Sequence, residues 1–122
     1  MNAINWFEIP VVDLERATAF YERVLNIRLH IDTSFPGMRL AVFPHDDQAV
    51  SGALFEHPEA RPHGDGVRIY LNGGKDLGPF LERAVAAGGQ IIMPKTHLRD
   101  DIGHIGMFRD CEGNIIGLHS MG

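Results

Sequence analysis

The chain has one cysteine, Cys111, in 122 residues, so no disulfide can form within it. A lone thiol outside any Cys-x-x-Cys spacing also excludes the thiolate zinc sites that hold many small domains together. Basic residues are scarce too. Eleven Lys and Arg stand against sixteen Asp and Glu, giving a formal net charge of −5 and no electrostatic footprint for nucleic acid. No run of eighteen apolar residues exists, which removes a membrane-spanning helix. The opening MNAINWFEIP lacks the basic and apolar regions of a secretory leader. The expectation is a soluble, cytoplasmic protein with its thiol reduced and with neither nucleic acid nor membrane as a partner.

What remains is ordinary globular composition, 44% hydrophobic and 22% charged. A chain of this length forms one domain and buries roughly two-thirds of its unfolded surface. Its informative feature is internal repetition. Residues 41–54 (AVFPHDDQAVSGAL) align without a gap on 106–119 at an offset of 65, placing Phe43 on Phe108, Asp47 on Glu112 and Gly52 on Gly117. Asp13–Leu14 likewise falls on Asp76–Leu77, at an offset near 63. Two weak matches in the same order point to a duplicated unit of about 60 residues. A ligand site is then expected in the cleft between the copies.

Local patterning fits two copies of one unit. Ile4–Pro10 alternates as a strand, and Asp13 caps a helix to about Leu25 with Leu14, Ala17, Phe20, Tyr21, Val24 and Leu25 on one stripe. Strand-like stretches follow at Arg28–Thr33, Met38–Phe43 and Val50–Phe55. The order then restarts after a polar segment, Glu56–Asp65, with a strand at Val67–Asn72 and a helix from about Leu77 to Ala87. Strands at Gln90–Met93, His104–Arg109 and Ile115–His119 complete it. This predicts an α+β fold of two βαβββ modules, about 1–56 and 66–122, joined by a linker at about 57–65. Curved mixed sheets would then enclose a shared cavity.

The segments IPVVDLERATAFYERVLNIRL at 9–29 and DCEGNIIGLHS at 110–120 resemble the vicinal oxygen chelate superfamily, which includes glyoxalase I, extradiol dioxygenases and bleomycin-resistance proteins. Carrying over that family's ligand positions, seven residues before the Asp of the helix cap is Trp6 in the first module. In the second it is Ile69, corrected to Arg68 by strand alternation. The last-strand positions are Gly52 and Gly117. Tryptophan, glycine and arginine supply no metal ligand, so the resemblance implies the fold with no metal and no other cofactor.

The same alternation expects Trp6, Glu8, Gly52, Leu54, Arg68, Tyr70, Gly117 and His119 to face the cavity. Glu8 and His119 are candidate catalytic residues, an acid orienting an imidazole for proton transfer. Arg68 offers a two-pronged grip on a carboxylate or phosphate. Trp6 and Tyr70 offer flat surfaces, with Gly52 and Gly117 leaving room for a ligand. Bland readings stand beside these: a Glu8–Arg68 salt bridge, a His119 bonded to backbone, and a Trp6 in the core or at a dimer interface. His45, His57 and His63 fall in turns or the linker, Cys111 reads as a spectator, and Leu98–Gly103 is a loop that could cover the cavity mouth.

Three functions are open. One is metal-independent binding of a small molecule, with the acidic charge favouring a cationic one. Another is a lyase or isomerase using Glu8 and His119, either without a metal or with one at shifted positions held by Glu8, His119 and Glu56. The last is an interaction module. The resemblance also implies a homodimer.

Overall fold

The computed structural model describes residues 2–122; Met1, the start of the expected first module, lies outside the described residues. Ten elements follow in order: β1 (Trp6–Val11), α1 (Leu14–Leu25), β2 (His30–Asp32), β3 (Arg39–Val42), β4 (Ser51–Glu56), β5 (Tyr70–Asn72), α2 (Gly78–Ala86), β6 (Gln90–Arg99), β7 (Gly103–Arg109) and β8 (Ile115–Ser120). They form two four-stranded mixed sheets of the same topology, β1-β4-β3-β2 and β5-β8-β7-β6. In each, the first strand lies parallel to the last and the remaining neighbours are antiparallel.

The helices form for reasons visible in their residues. The Asp13 carboxylate accepts the Arg16 backbone N–H at 3.0 Å, satisfying a donor that the helix itself leaves free. Leu14, Ala17, Phe20, Tyr21 and Val24 recur on one face and are buried. Leu14, Phe20 and Val24 each contribute roughly 1.5–3 kcal/mol by that burial. Asn26 ends α1 in the left-handed conformation (φ 55°), a position that asparagine tolerates. Helix α2 has no capping side chain of its own. A proline occupies its first turn, and the Ser120 hydroxyl accepts the Leu77 N–H at 3.0 Å from the neighbouring last strand.

That contact has a counterpart in the first unit, where the Glu56 carboxylate at the end of β4 accepts the Leu14 N–H at 2.9 Å. The two copies are therefore equivalent as Leu14 to Leu77 and Glu56 to Ser120, offsets of 63 and 64. The Leu54–Leu118 pair, both fully buried, follows the same offset of 64. The duplication stands, but the 65-residue offset of the sequence alignment is one residue too long in the last strand.

The helices and the covered faces of both sheets share one core. It runs from Ile9, Val11 and Leu54 through Tyr21 and Phe43 to Leu71, Leu81, Phe108 and Leu118. Two local expectations change. Only Tyr70–Asn72 of the stretch from Val67 pairs as strand, and β6 runs on to Arg99. The Leu98–Gly103 segment thus ends a β6–β7 hairpin, closed at Gly103 with φ 92°, instead of forming a free covering loop. Among the described residues no helix is long and apolar enough to cross a membrane.

Candidate functional site

Strand register decides which side chains share a face. In β1 and β4 the partners are Trp6 with Ser51, Phe7 with Gly52, Glu8 with Ala53 and Ile9 with Leu54. Ile9 and Leu54 are core residues, so Phe7 and Gly52 lie on the same helix-covered face. Trp6 and Glu8 point the other way, beside Ser51 and Ala53. The expectation that Gly52 and Leu54 face the cavity with Trp6 and Glu8 is therefore corrected. The slip of one residue in the repeat alignment reverses the face. Gly52 has a packing role instead: a Cβ there would run into the Phe7 ring and carbonyl oxygen.

In the second module Tyr70, Gly117 and His119 do fall on one face, but Gly117 and His119 border neither cavity at the seam between the modules. Tyr70 pairs with Gly117 and Asn72 with His119, opposite the buried Leu71 and Leu118. The Tyr70 ring lies directly over Gly117, in space a Cβ would occupy, and remains 47% exposed. Arg68, just before β5, reaches the same face, where its Nη1–H donates to the Met107 sulfur at 2.8 Å. Trp6, on the first sheet, is 41% exposed and makes an edge contact with His45, ring centroids 6.4 Å apart.

The Glu8–His119 pair is not formed. The His119 ring donates its Nε2–H to the Ile102 carbonyl of the β6–β7 turn, which fixes the imidazole to backbone. No hydrogen bond or ion pair among the described residues joins Glu8 to His119 or to Arg68. Glu56 is occupied as well. Bonded to Arg39 at 2.8 Å and to the start of α1, it has its carboxyl held below the usual range, first by the Arg39 hydrogen bond.

The four strand positions that the family resemblance assigns to a metal do not fit one. Trp6 and Arg68 donate no lone pair, Gly117 has no side chain, and the register replaces Gly52 with Ser51 as the residue opposite Trp6. The Ser51 hydroxyl is already committed to the Phe43 carbonyl at 3.1 Å. Among the described residues no group of three or more His, Cys, Asp or Glu is placed to hold a metal ion.

Two cavities open along the seam between the modules. The larger, about 820 Å³, lies between the β1 and β5 edges and the helix ends, with Phe7, Phe43, Tyr70 and Phe80 in its wall beside Ser51, Arg68 and Asn72. The smaller, about 390 Å³, is bordered by Trp6, Glu8, His63 and Asn114. Arg68 and Tyr70 thus share one cavity, whereas Trp6 and Glu8 border the other. A third hollow of about 810 Å³ lies within the first module, walled by Phe35, Arg39, Glu56 and Arg61. Its Arg39 is neutralised by Glu15 and Glu56.

Sequence reasoning missed the polar lock that fixes this seam. Tyr21 donates to Asp110 at 2.6 Å, and the other Asp110 oxygen accepts the Glu112 and Asn114 N–H groups. Asn114 donates to the Pro10 carbonyl at 2.8 Å, and its own carbonyl accepts the His63 N–H. Glu112 in turn binds the Val12 N–H and the Arg16 guanidinium. The Asp-Cys-Glu-Gly-Asn run was the available signal, since Asp and Asn around a glycine mark a bonded turn.

Structurally the chain is similar to a glyoxylase/bleomycin resistance protein/dioxygenase domain from Frankia sp. EAN1pec (18% identity, TM-score 0.73, 98% of each chain covered). It is also similar to TnmS3, an antibiotic binding protein from Streptomyces sp. CB03234 (23% identity, TM-score 0.67, covering 98% of this chain and 96% of that one). A glyoxalase I mutant from Zea mays matches 95% of this chain at 21% identity and TM-score 0.73, and the match spans only 46% of the maize chain. No curated protein matches in sequence. A family model described as Glyoxalase/Bleomycin resistance protein/Dioxygenase superfamily matches residues 3–118, and the chain belongs to that superfamily.

Proposed function

We propose that this protein binds a small molecule in the groove between its two modules, independently of a metal at the family's usual strand positions. The observation that carries the reading is the cavity of about 820 Å³ at the seam. Side chains from both modules border it, and Tyr70 is left half exposed over Gly117. Such a concave, mostly apolar wall with a few polar groups is what small-molecule sites use. An antibiotic binding protein among the structural neighbours is consistent with this role. The proton-transfer reading has less support, because His119 is held by the Ile102 carbonyl and Glu8 borders a different cavity. We also propose a cytoplasmic homodimer, in which exposed apolar residues such as Trp6, Ile91 and Ile92 are covered by a second copy.

A thermal-shift screen of a metabolite and drug-like library tests the binding role. A ligand at one hundred times its Kd stabilises the fold by about 2.7 kcal/mol. Val67 stands at the rim of both seam cavities and is 93% exposed, so Val67→Trp adds bulk at their mouth without disturbing the core. Hits that raise the melting temperature of the wild type and lose the effect in Val67→Trp support the role. Hits unaffected by that substitution contradict it.

A further inference from the structure

We infer that the seam groove takes an amphiphilic monoanion: a carboxylate, carried on an aromatic or aliphatic body, that pairs with Arg68. This rests on the binding role proposed above and names the ligand class. The groove has one charged residue. Its wall is aromatic and aliphatic, with Phe7, Phe43 and Phe80 supplying rings, and among its lining residues there is no Asp, Glu, Lys or His beside Arg68. The neutral polar groups are nearly spent. Ser51 bonds the Phe43 carbonyl, and the Asn72 carbonyl oxygen accepts the Gly74 N–H, leaving the Asn72 amide NH₂ as a second donor toward the groove.

Arg68 itself is unusual in its partner. Arg16, Arg39 and Arg99 each face a carboxylate within the molecule, Arg83 donates to the Val24 carbonyl, and Arg68 differs from all four in meeting a sulfur at the edge of a cavity. The Arg68 guanidinium has a thioether, Met107, at 2.8 Å, and no carboxylate among the described residues. A sulfur accepts only weakly, so the exposed guanidinium keeps donors free at the edge of an apolar wall. A carboxylate matches those donors in charge and, through its two oxygens, in geometry. The net charge of −5 does not oppose this, because charges farther off than about 8 Å are largely screened at physiological ionic strength. The nearby lining decides, and it is cationic.

Fluorescence titration of the full-length protein with three matched probes tests this: 1-pyrenebutanoate, 1-pyrenebutanol and 1-pyrenebutylammonium. The expected result is that the acid binds at least tenfold more tightly than the alcohol, and the alcohol more tightly than the ammonium. In Arg68→Gln the acid should lose its advantage over the alcohol, and Arg68→Lys should restore part of it. Equal binding of acid and alcohol by the wild type, or an advantage that survives Arg68→Gln, overturns the ligand class and leaves groove binding intact. Binding of none of the three at millimolar concentration overturns the groove reading with it.

Discussion

The Tyr21 hydroxyl, on the first module's helix, donates a 2.6 Å hydrogen bond to Asp110 in the second module's last turn. Both groups are buried, and burial raises the tyrosine pKa well above its ordinary value, with the Asp110 charge adding to the effect. The phenol therefore stays protonated, and remains a donor, to higher pH than an ordinary tyrosine. Removing the bond in Tyr21→Phe leaves a buried carboxylate oxygen with Asn114 as its remaining partner. The variant should lose about 1–3 kcal/mol in urea unfolding. A loss below a few tenths would mean that the seam does not depend on this bond.

The two glycines singled out by the repeat should behave differently. Alanine at Gly52 meets the Phe7 backbone oxygen as well as its ring, and backbone cannot swing away. Gly52→Ala should cost about 1–3 kcal/mol in thermal or chemical unfolding. Alanine at Gly117 meets first the half-exposed Tyr70 ring, a side chain that can turn aside. Gly117→Ala should therefore cost less than Gly52→Ala and show itself in ligand affinity. The reverse order of stabilities would contradict the strand register.

Acid sensitivity should centre on Arg39. Its hydrogen bonds hold the Glu15 and Glu56 carboxyls below their ordinary 4.5. A depressed folded-state pKa contributes stability that is complete above pH 4.5 and is lost as pH falls through the lower folded value. Glu56→Gln removes the charge and retains an acceptor for Leu14. It should lower stability by about 1 kcal/mol at neutral pH and flatten the fall in melting temperature below pH 4.5. A wild type and a variant with parallel acid profiles would refute the pairing.

Cys111 should be a slow thiol. Burial, reinforced by the charges of Asp110 and Glu112, pushes it up to about 11 from 9.0. Two units leave the thiolate about 100-fold scarcer at neutral pH than in an unperturbed cysteine, and alkylation should slow accordingly. Iodoacetamide kinetics between pH 7 and 10 that track glutathione would show the opposite environment.

Much of this architecture was legible in the chain. The apolar stripe from Leu14 to Val24, the Asp13 cap and the restart after Asp65 follow from local chemistry, and the structure has the helices and sheets they imply. The face of Gly52 was not legible. Its identity with Gly117 outweighed the true equivalence of Glu56 with Ser120, which appears only when both accept a helix-start N–H. A one-residue slip reverses every side chain of a strand. The fate of His119 depends on a carbonyl at Ile102, a contact made by tertiary packing that no local pattern encodes. Arg68 and Tyr70, reached by correcting the family's strand position with alternation, both border the larger seam cavity.

The most direct test of the account is where a ligand lands. In ¹⁵N-resolved NMR of the full-length protein titrated with 1-pyrenebutanoate, the account predicts amide shifts at Ser51, Arg68, Tyr70, Asn72 and Gly74, which border the seam groove. Shifts confined to residues 33–38 and 57–61, around the hollow within the first module, would contradict it.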